Sequence, residues 1–421
     1  MKESPEVKKL GTTPLTREAF DALSRRAPKD KVLQKLREYA FTKIESIPFV
    51  SNTHPLWRHT KPELFDFGRV LSASPTPVEL QVFNGDSAVV KGVELLNSTD
   101  VSSIPDSIVS ELFFADKNSI DEDASNYLQL AVTLNTAFLR VRKNTDVKEI
   151  LRLSYPIEAE ACQTPLVVVL LEEGASLTLF EDLSGGKEAF VFPRFEIILR
   201  DNTHFNLVSQ NRLEEDSRYL ARHRLHAGRD VNASIFHSMI GAGVARLDLE
   251  CRMLGSGTAL DIASVYIADG HRHVDIHTVQ DHLFPHCRSD LLSKGILHQK
   301  GRSVYHGYIK VAEGAQRTDA YQTNRNLVFS KEARADSIPN LQIKANDVKC
   351  SHGATVGEVS EDELFYLMTR GLSKVEAENL LVQGFLDEAI MRIKDETLLS
   401  LIHEQVMQRI EYDRKGSCEN I

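Results

Sequence analysis

Two groups of side chains in this 421-residue chain could do chemistry. The first is the run Lys349-Cys350-Ser351-His352-Gly353. Residues i and i+2 of an extended segment share a face, so the thiol and the imidazole would project together. A thiolate with an imidazole is half of a coordination shell for a soft or borderline metal. It also supplies the two parts of an activated-thiol nucleophile. Along a strand the two backbones lie about 7 Å apart, which strains a direct hydrogen bond. Two ligands cannot hold a metal by themselves, and a buried structural cysteine is the ordinary alternative.

The second group is histidine-rich. His271, His273, His277, His282 and His286 fall close together, with Cys287 adjoining. On a strand His271 and His273 would share a face, and such pairs bind zinc, iron or copper. With His277 they raise the reading of a metal-dependent enzyme. No glutamate follows within about a dozen residues to complete a facial triad. The plainer reading is histidines bonded between neighbouring strands or at a subunit contact.

Other chemistries lack their motifs. No G-x-x-x-x-G-K-[ST] loop and no G-x-S-x-G elbow occurs. Gly241-Ala242-Gly243-Val244-Ala245-Arg246 starts like a dinucleotide fingerprint but lacks the third glycine and a following helix. A carbohydrate-processing β-helix would want aromatic stacking groups beside its carboxylates, yet the single tryptophan, Trp57, lies far upstream.

The elements that must position these residues are legible in outline. Thr16 caps a segment Arg17–Arg26, and Pro28 opens a second, with Val32, Leu33, Leu36 and Tyr39 at helical spacing. Residues 51–80 read as an irregular, aromatic-rich linker, and 100–130 as a weakly helical acidic stretch. From about residue 150 the apolar runs become short, β-branched and alternating. Triplets then recur, centred on positions 248, 261, 275, 290, 304 and 319, at spacings of 13, 14, 15, 14 and 15. A unit this short cannot bury its own apolar face, so it must stack on its neighbours as a solenoid. If each repeat is one coil, the five steps span roughly 24 Å. The aspartates at the triplet centres read as outward-facing positions without a catalytic role. After residue 358 the texture is helical. Ser360…Glu363 and Ser373…Glu376 are capping boxes, Gly371 is a natural stop, and a third stripe runs from Leu398 to Ile410.

Composition sets the outer bounds. The formal charge is −10 and the pI near 5.9, which argues against a nucleic-acid binder. No apolar stretch is long enough to cross a membrane. Five widely spread cysteines are not a disulfide framework, so a reducing compartment is expected. The start has neither an apolar secretory region nor a Ser/Arg-rich transit character, so bacterial cytoplasm is expected rather than a plastid.

A longer pattern is more specific than any of these motifs. Tyr305-His306-Gly307-Tyr308-Ile309, Ala315-Gln316-Arg317-Thr318-Asp319-Ala320-Tyr321-Gln322-Thr323-Asn324, Ala345-Asn346-Asp347-Val348-Lys349-Cys350-Ser351-His352-Gly353-Ala354-Thr355-Val356-Gly357 and Leu364-Phe365-Tyr366-Leu367-Met368-Thr369-Arg370-Gly371 follow in order. Together they resemble the SufB/SufD family of iron–sulfur cluster assembly scaffolds, densely over about 285–390 and more loosely back to 150. Gly353 stands where the SufB branch has Glu, and Gly174-Ala175-Ser176 leads to Glu181-Asp182-Leu183 without a cysteine. The likeness is therefore to the SufD branch. Tyr308 departs from it, since many relatives carry a basic residue there.

The resemblance implies a fold and a role. The fold is mainly β with α, a right-handed parallel β-helix core flanked by N-terminal and C-terminal helical domains. The expected division is 1–145, 146–357 and 358–421. The role is a non-catalytic subunit of a SufB–SufC–SufD complex of the SUF system. Its partners are a SufB-like β-helix paralogue and a SufC-like ABC ATPase, with a homodimer when isolated. Cys350 and His352 map to the nascent-cluster interface. Leu364, Phe365, Leu380, Leu381 and Phe385 are the candidates for the ATPase contact. A reduced flavin belongs to the implied complex, though this sequence shows no motif for it.

Overall fold

Short β-branched runs punctuated by Gly, Asn and Asp wind into a parallel β-solenoid in this computed structural model, which describes residues 15–75, 77–85, 90–97, 104–114 and 123–418. The solenoid has two sheets. The first stacks Asp146–Ser154, Ser176–Gly185, His204–Leu213, Asn232–Met239, Ala259–Ala268, Arg288–Leu297, Asp319–Val328 and Lys349–Glu358. The second stacks Thr136–Val141, Leu166–Leu171, Arg194–Leu199, Arg218–Ala227, Val244–Met253, His273–His282, Arg302–Val311 and Arg334–Ile343. The fold is thus mainly β, with helices at both ends. The parallel ladder opens at Thr136.

The repeat of 13–15 residues is half a coil, which corrects the expectation of one coil per repeat. Asp261 pairs with Asp290 in the first sheet, while Asp248 pairs with His277 in the second. Successive triplets therefore alternate between sheets, and the five steps advance only two and a half coils, roughly 12 Å. The full period has its own signal. Asn144, Gly174, Asn202, Asp230, Gly257, His286 and Arg317 all have positive φ, and one stands at the same corner of each of the first seven coils. A sharp corner of this hand suits Gly, Asn and Asp. At Gly257 a Cβ would lie 2.1 Å from Asp230 Oδ1 in the coil below, so the stack itself also excludes a side chain.

Inward residues of both sheets, among them Leu179, Leu207, Ile235, Ile262, Leu291, Leu249 and Ile276, fill the lumen. The upstream end is closed. Glu79–Val82 and Val93–Asn97 pair antiparallel with the first strand of each sheet. The downstream end is not: among the described residues Arg334–Ile343 pairs only with Arg302–Val311, and Lys349–Glu358 only with Asp319–Val328.

Helices α1 (Arg17–Arg26), α2 (Lys31–Ser46), α3 (Asp106–Val109) and α4 (Ala124–Val132) form the N-terminal layer. Asp30, not Pro28, starts α2, because its carboxylate caps the amides of Val32 and Leu33. The acidic stretch expected over 100–130 yields α3 and α4, while 98–103 and 115–122 lie outside the described residues. The linker over 51–80 does pack through its aromatics. Trp57, Phe65 and Phe67 meet Phe190 and Phe192 on the outer face of the second sheet. Arg246 fixes this layer. Fully buried, it donates to Leu56 O and Asp248 and lies 4.2 Å from the Trp57 ring. The aspartates at 248 and 275 do face outward, but Asp275 is buried under this layer.

Helices α5 (Glu361–Thr369), α6 (Lys374–Ile390) and α7 (Glu396–Cys418) follow the last strand. Ser373 and Glu376 form a full capping box, and Gly371 ends α5 at φ 98°. The apolar stripe of α6 and α7, including Val382, Leu386, Ile390, Leu398, Ile402 and Val406, packs on Phe180, Val208, Phe236, Val265, Leu292 and Ile296 of the first sheet. The helices thus bury their main stripe on the solenoid. Among the described residues no helix is long and apolar enough to cross a membrane.

Candidate functional site

The last coil carries Cys350 and His352 on the strand Lys349–Glu358. Their register partners are Ala320 and Gln322, both buried in the lumen wall. Both side chains therefore stand on the inward face of the solenoid, as the i, i+2 spacing requires. They are reachable because no further coil among the described residues covers them. Cys350 is half-buried and packs beside the small cluster of Ile309, Val311, Ala315, Ala320 and Ala345. Burial, and secondarily the Asp319 carboxylate, push its thiol above the ordinary range. His352 is exposed and makes no hydrogen bond among the described residues.

Beneath His352 the lumen turns polar. Gln322 donates from Nε2 to the carbonyl of Asn340 at 3.1 Å and accepts from the Tyr305 hydroxyl at 3.4 Å. The Tyr305 hydroxyl lies 3.0 Å from Thr278 Oγ1. Gly307 makes this arrangement possible, because a Cβ there would come within 2.2 Å of Gln322 Oε1. Asn324 reaches the Tyr266 hydroxyl at 3.1 Å. Single-residue motif reading passed over Tyr305, Gly307, Gln322 and Asn324. Their signal was available, since all occupy alternate positions of the ordered motifs and so share the face that carries Cys350 and His352. Tyr308 stands on the opposite, outward face, where the Lys310 ammonium lies 5.5 Å from its ring centre.

The rim is apolar and unpaired. Leu341, Ile343 and Val356 are 37%, 39% and 52% exposed, although all three occupy lumen-facing positions. They are bordered by Arg334–Ile343 and Lys349–Glu358, the edge strands of the two sheets among the described residues. Exposed edges of this kind are templates for another chain.

The histidine-rich segment is differently placed. The strand begins at His273, so His271 lies in the preceding turn and the pair does not share a strand face, contrary to expectation. His273 bonds Thr60 Oγ1 at 2.8 Å through Nε2, and burial lowers its pKa. His277 Nε2 lies 2.9 Å from Asp275. Among the described residues no group of three His, Cys, Asp or Glu side chains is arranged to hold a metal ion. His273 and His277 serve the junction between the N-terminal layer and the second sheet.

The proposed ATPase-contact residues divide by exposure. Phe365 (69%) and Leu380 (49%) are exposed. Leu364, Leu381 and Phe385 are half-buried, and Phe385 packs against the solenoid.

Sequence comparison bears on this geometry. The model of the SufBD core domain of SUF-system FeS cluster assembly matches residues 155–385, more than half of the chain. The chain belongs to the SufB/SufD family. It is 28% identical over 329 residues to the iron–sulfur cluster assembly protein SufD of Escherichia coli strain K12, covering 77% of this chain and 76% of that protein. To the SufD of Bacillus subtilis strain 168 it is 28% identical over 327 residues, 75% and 74% of the two chains. A chloroplastic protein of Arabidopsis thaliana is 31% identical over 235 residues, 54% of this chain and 48% of its own. The family region covers the solenoid from its second coil into α6, and so includes the open end.

Proposed function

We propose that this chain is a scaffold subunit that completes an iron–sulfur cluster site only when a second solenoid protein closes its downstream end. The observation that carries the reading is the placement of Cys350 and His352 on the lumen face of an uncovered last coil. One thiol and one imidazole leave a metal-ligand shell half built. A SufB-like partner docked end-on would supply the missing ligands for the nascent cluster, which is cargo here. The raised thiol pKa fits this order of events, because the sulfur becomes a good ligand once metal or positive charge arrives.

Helices α5 and α6 supply the second contact. Phe365, Tyr366, Met368, Val375 and Leu380 are exposed around them, and α5 buries no residue of its own. This face fits an ABC-type ATPase of the SufC kind. The chain itself performs no catalysis in this reading, and ATP hydrolysis belongs to the partner. The reduced flavin is assigned no residue here. The proposed compartment is the bacterial cytoplasm, although a chloroplastic relative exists.

Anaerobic reconstitution with SufB-like and SufC-like partners tests the reading. His352→Ala should lower cluster formation about tenfold or more while subunit composition stays the same. Full assembly by both His352→Ala and Cys350→Ser would reject the cluster role. Val356→Lys on the rim should weaken association with the solenoid partner and spare the ATPase contact.

A further inference from the structure

Gln280 and His282 stand two residues apart on one strand of the second sheet, both facing the lumen and both 0% exposed. In register, Gln280 lies between Cys251 and Ile309, and His282 between Met253 and Val311. Four apolar or weakly polar neighbours thus enclose two strongly polar side chains. His282 Nε2 has a partner, the Ser289 hydroxyl at 2.8 Å. Its Nδ1 has none among the described residues, and neither end of the Gln280 amide does. A buried polar group left unpaired costs about 1–3 kcal/mol, so three such atoms in one layer call for a hydrogen-bonding guest.

The chemistry of the layer selects the guest. It offers an amide donor, an amide acceptor, an imidazole nitrogen and a hydroxyl, but no carboxylate. Asp281 lies between the two residues on the same strand and points to the outer face. A cation would therefore find no counter-charge, and burial keeps His282 neutral by lowering its pKa to about 4. The spacing also fits. Two polar atoms sharing one water are at most about 5.6 Å apart, and side chains at i and i+2, about 7 Å apart at the backbone, can converge to that distance.

We propose that Gln280, His282 and Ser289 form an internal hydration site in the solenoid lumen, where at least one water bridges the Gln280 amide to His282 Nδ1. The site interrupts the apolar filling of the lumen. In its own rows it separates Cys251 and Met253 of the large apolar cluster from Ile309 and Val311 of the small one. The inference is independent of the proposed cluster role.

A crystal structure of the full chain at about 1.5 Å, together with thermal melts of Gln280→Leu, tests it. The expected result is a density peak within about 3.2 Å of the Gln280 amide and a fall in Tm of about 1–3 °C in the variant, as a satisfied network is broken. Removing an unpaired amide from a dry lumen would instead stabilise the fold. A rise in Tm, or a lumen without density at that amide, overturns the proposal. Should the variant fail to fold, the density in the native chain decides alone.

Discussion

The Lys294 ammonium donates to the main-chain carbonyl of Phe385 at 2.6 Å and lies 4.4 Å from the centre of that residue's ring. Lys294 is buried on the outer face of the first sheet, and Glu388, one turn beyond Phe385, is its carboxylate partner. A single strand residue thus grips α6 by backbone, ring and charge. The same Glu388 reaches Arg325 at 3.1 Å, on the strand that also carries Gln322 beneath His352. Lys294→Met keeps the aliphatic stem and removes the grip. The expected cost is about 1–2 kcal/mol in denaturant unfolding, with faster amide exchange along α6. Unchanged exchange in α6 would show that the apolar stripe alone holds it.

Arg246 is the equivalent clamp for the N-terminal layer. Its removal takes a charge partner from Asp275, which lies 3.6 Å from the guanidinium and is itself fully buried. Against the penalty of burial, His277 and Arg246 hold the Asp275 carboxyl well below its usual range. Arg246→Ala should cost about 3–5 kcal/mol, because it removes the buried guanidinium shared by the Asp248 and Asp275 carboxylates. A loss below about 1 kcal/mol would mean that His277 alone satisfies Asp275.

Glu181 sets a pH dependence inside the lumen. It accepts from Ser209 at 2.6 Å and Tyr155 at 3.4 Å, with His223 Nε2 at 3.7 Å and the outward Asp182 beside it. Burial pushes its carboxyl up to about 7. The folded pKa exceeds the unfolded one, so its stabilising contribution is complete below about 4.5 and is lost as pH rises to about 7. His237, 3.0 Å from His223, runs the other way. Burial lowers it to about 3, so its contribution is present above 6.5 and is lost as pH falls. Glu181→Gln should therefore gain on the native chain between pH 5 and 7, by on the order of 2–3 kcal/mol. Parallel stability curves for the two proteins would refute this assignment.

Gly307 allows the polar floor under His352. Gly307→Ala should displace Gln322 or Tyr305 and cost about 1–3 kcal/mol through overpacking. Urea unfolding measures the loss. A neutral outcome would mean that the lumen at this coil yields without penalty.

The terminal coils should open before the rest. Their lumen holds a small apolar cluster, and among the described residues their last two strands each have a neighbour on one side only. Hydrogen exchange should be faster over 334–358 than over 204–297, and an end-on partner should slow it. Uniform protection across both segments would contradict the picture.

How much of this was legible in the residues varies by element. Capping chemistry is local, so Ser373…Glu376 and Gly371 were readable directly. Alternation is local too, so Cys350 and His352 were correctly placed on one face of one strand. The stacking of short β units followed from a repeat too small to bury itself. The same repeat misled on period, because a triplet looks alike in either sheet, and only pairing shows that Asp261 stacks on Asp290 while Asp248 stacks on His277. His271 misled for a different reason: the turn residues before a strand look like strand when the spacing of two histidines is read alone.

The sequence by itself determined that strands would stack, where helices would start and stop, and that a thiol and an imidazole would point the same way. The tertiary structure alone decided which way that is. Inward and outward are defined only once the chain has closed on itself, and a lumen-facing pair is accessible only at a coil that nothing covers. It also decided that the stripe of α6 and α7 would be spent on the solenoid wall, because an apolar face does not specify its partner.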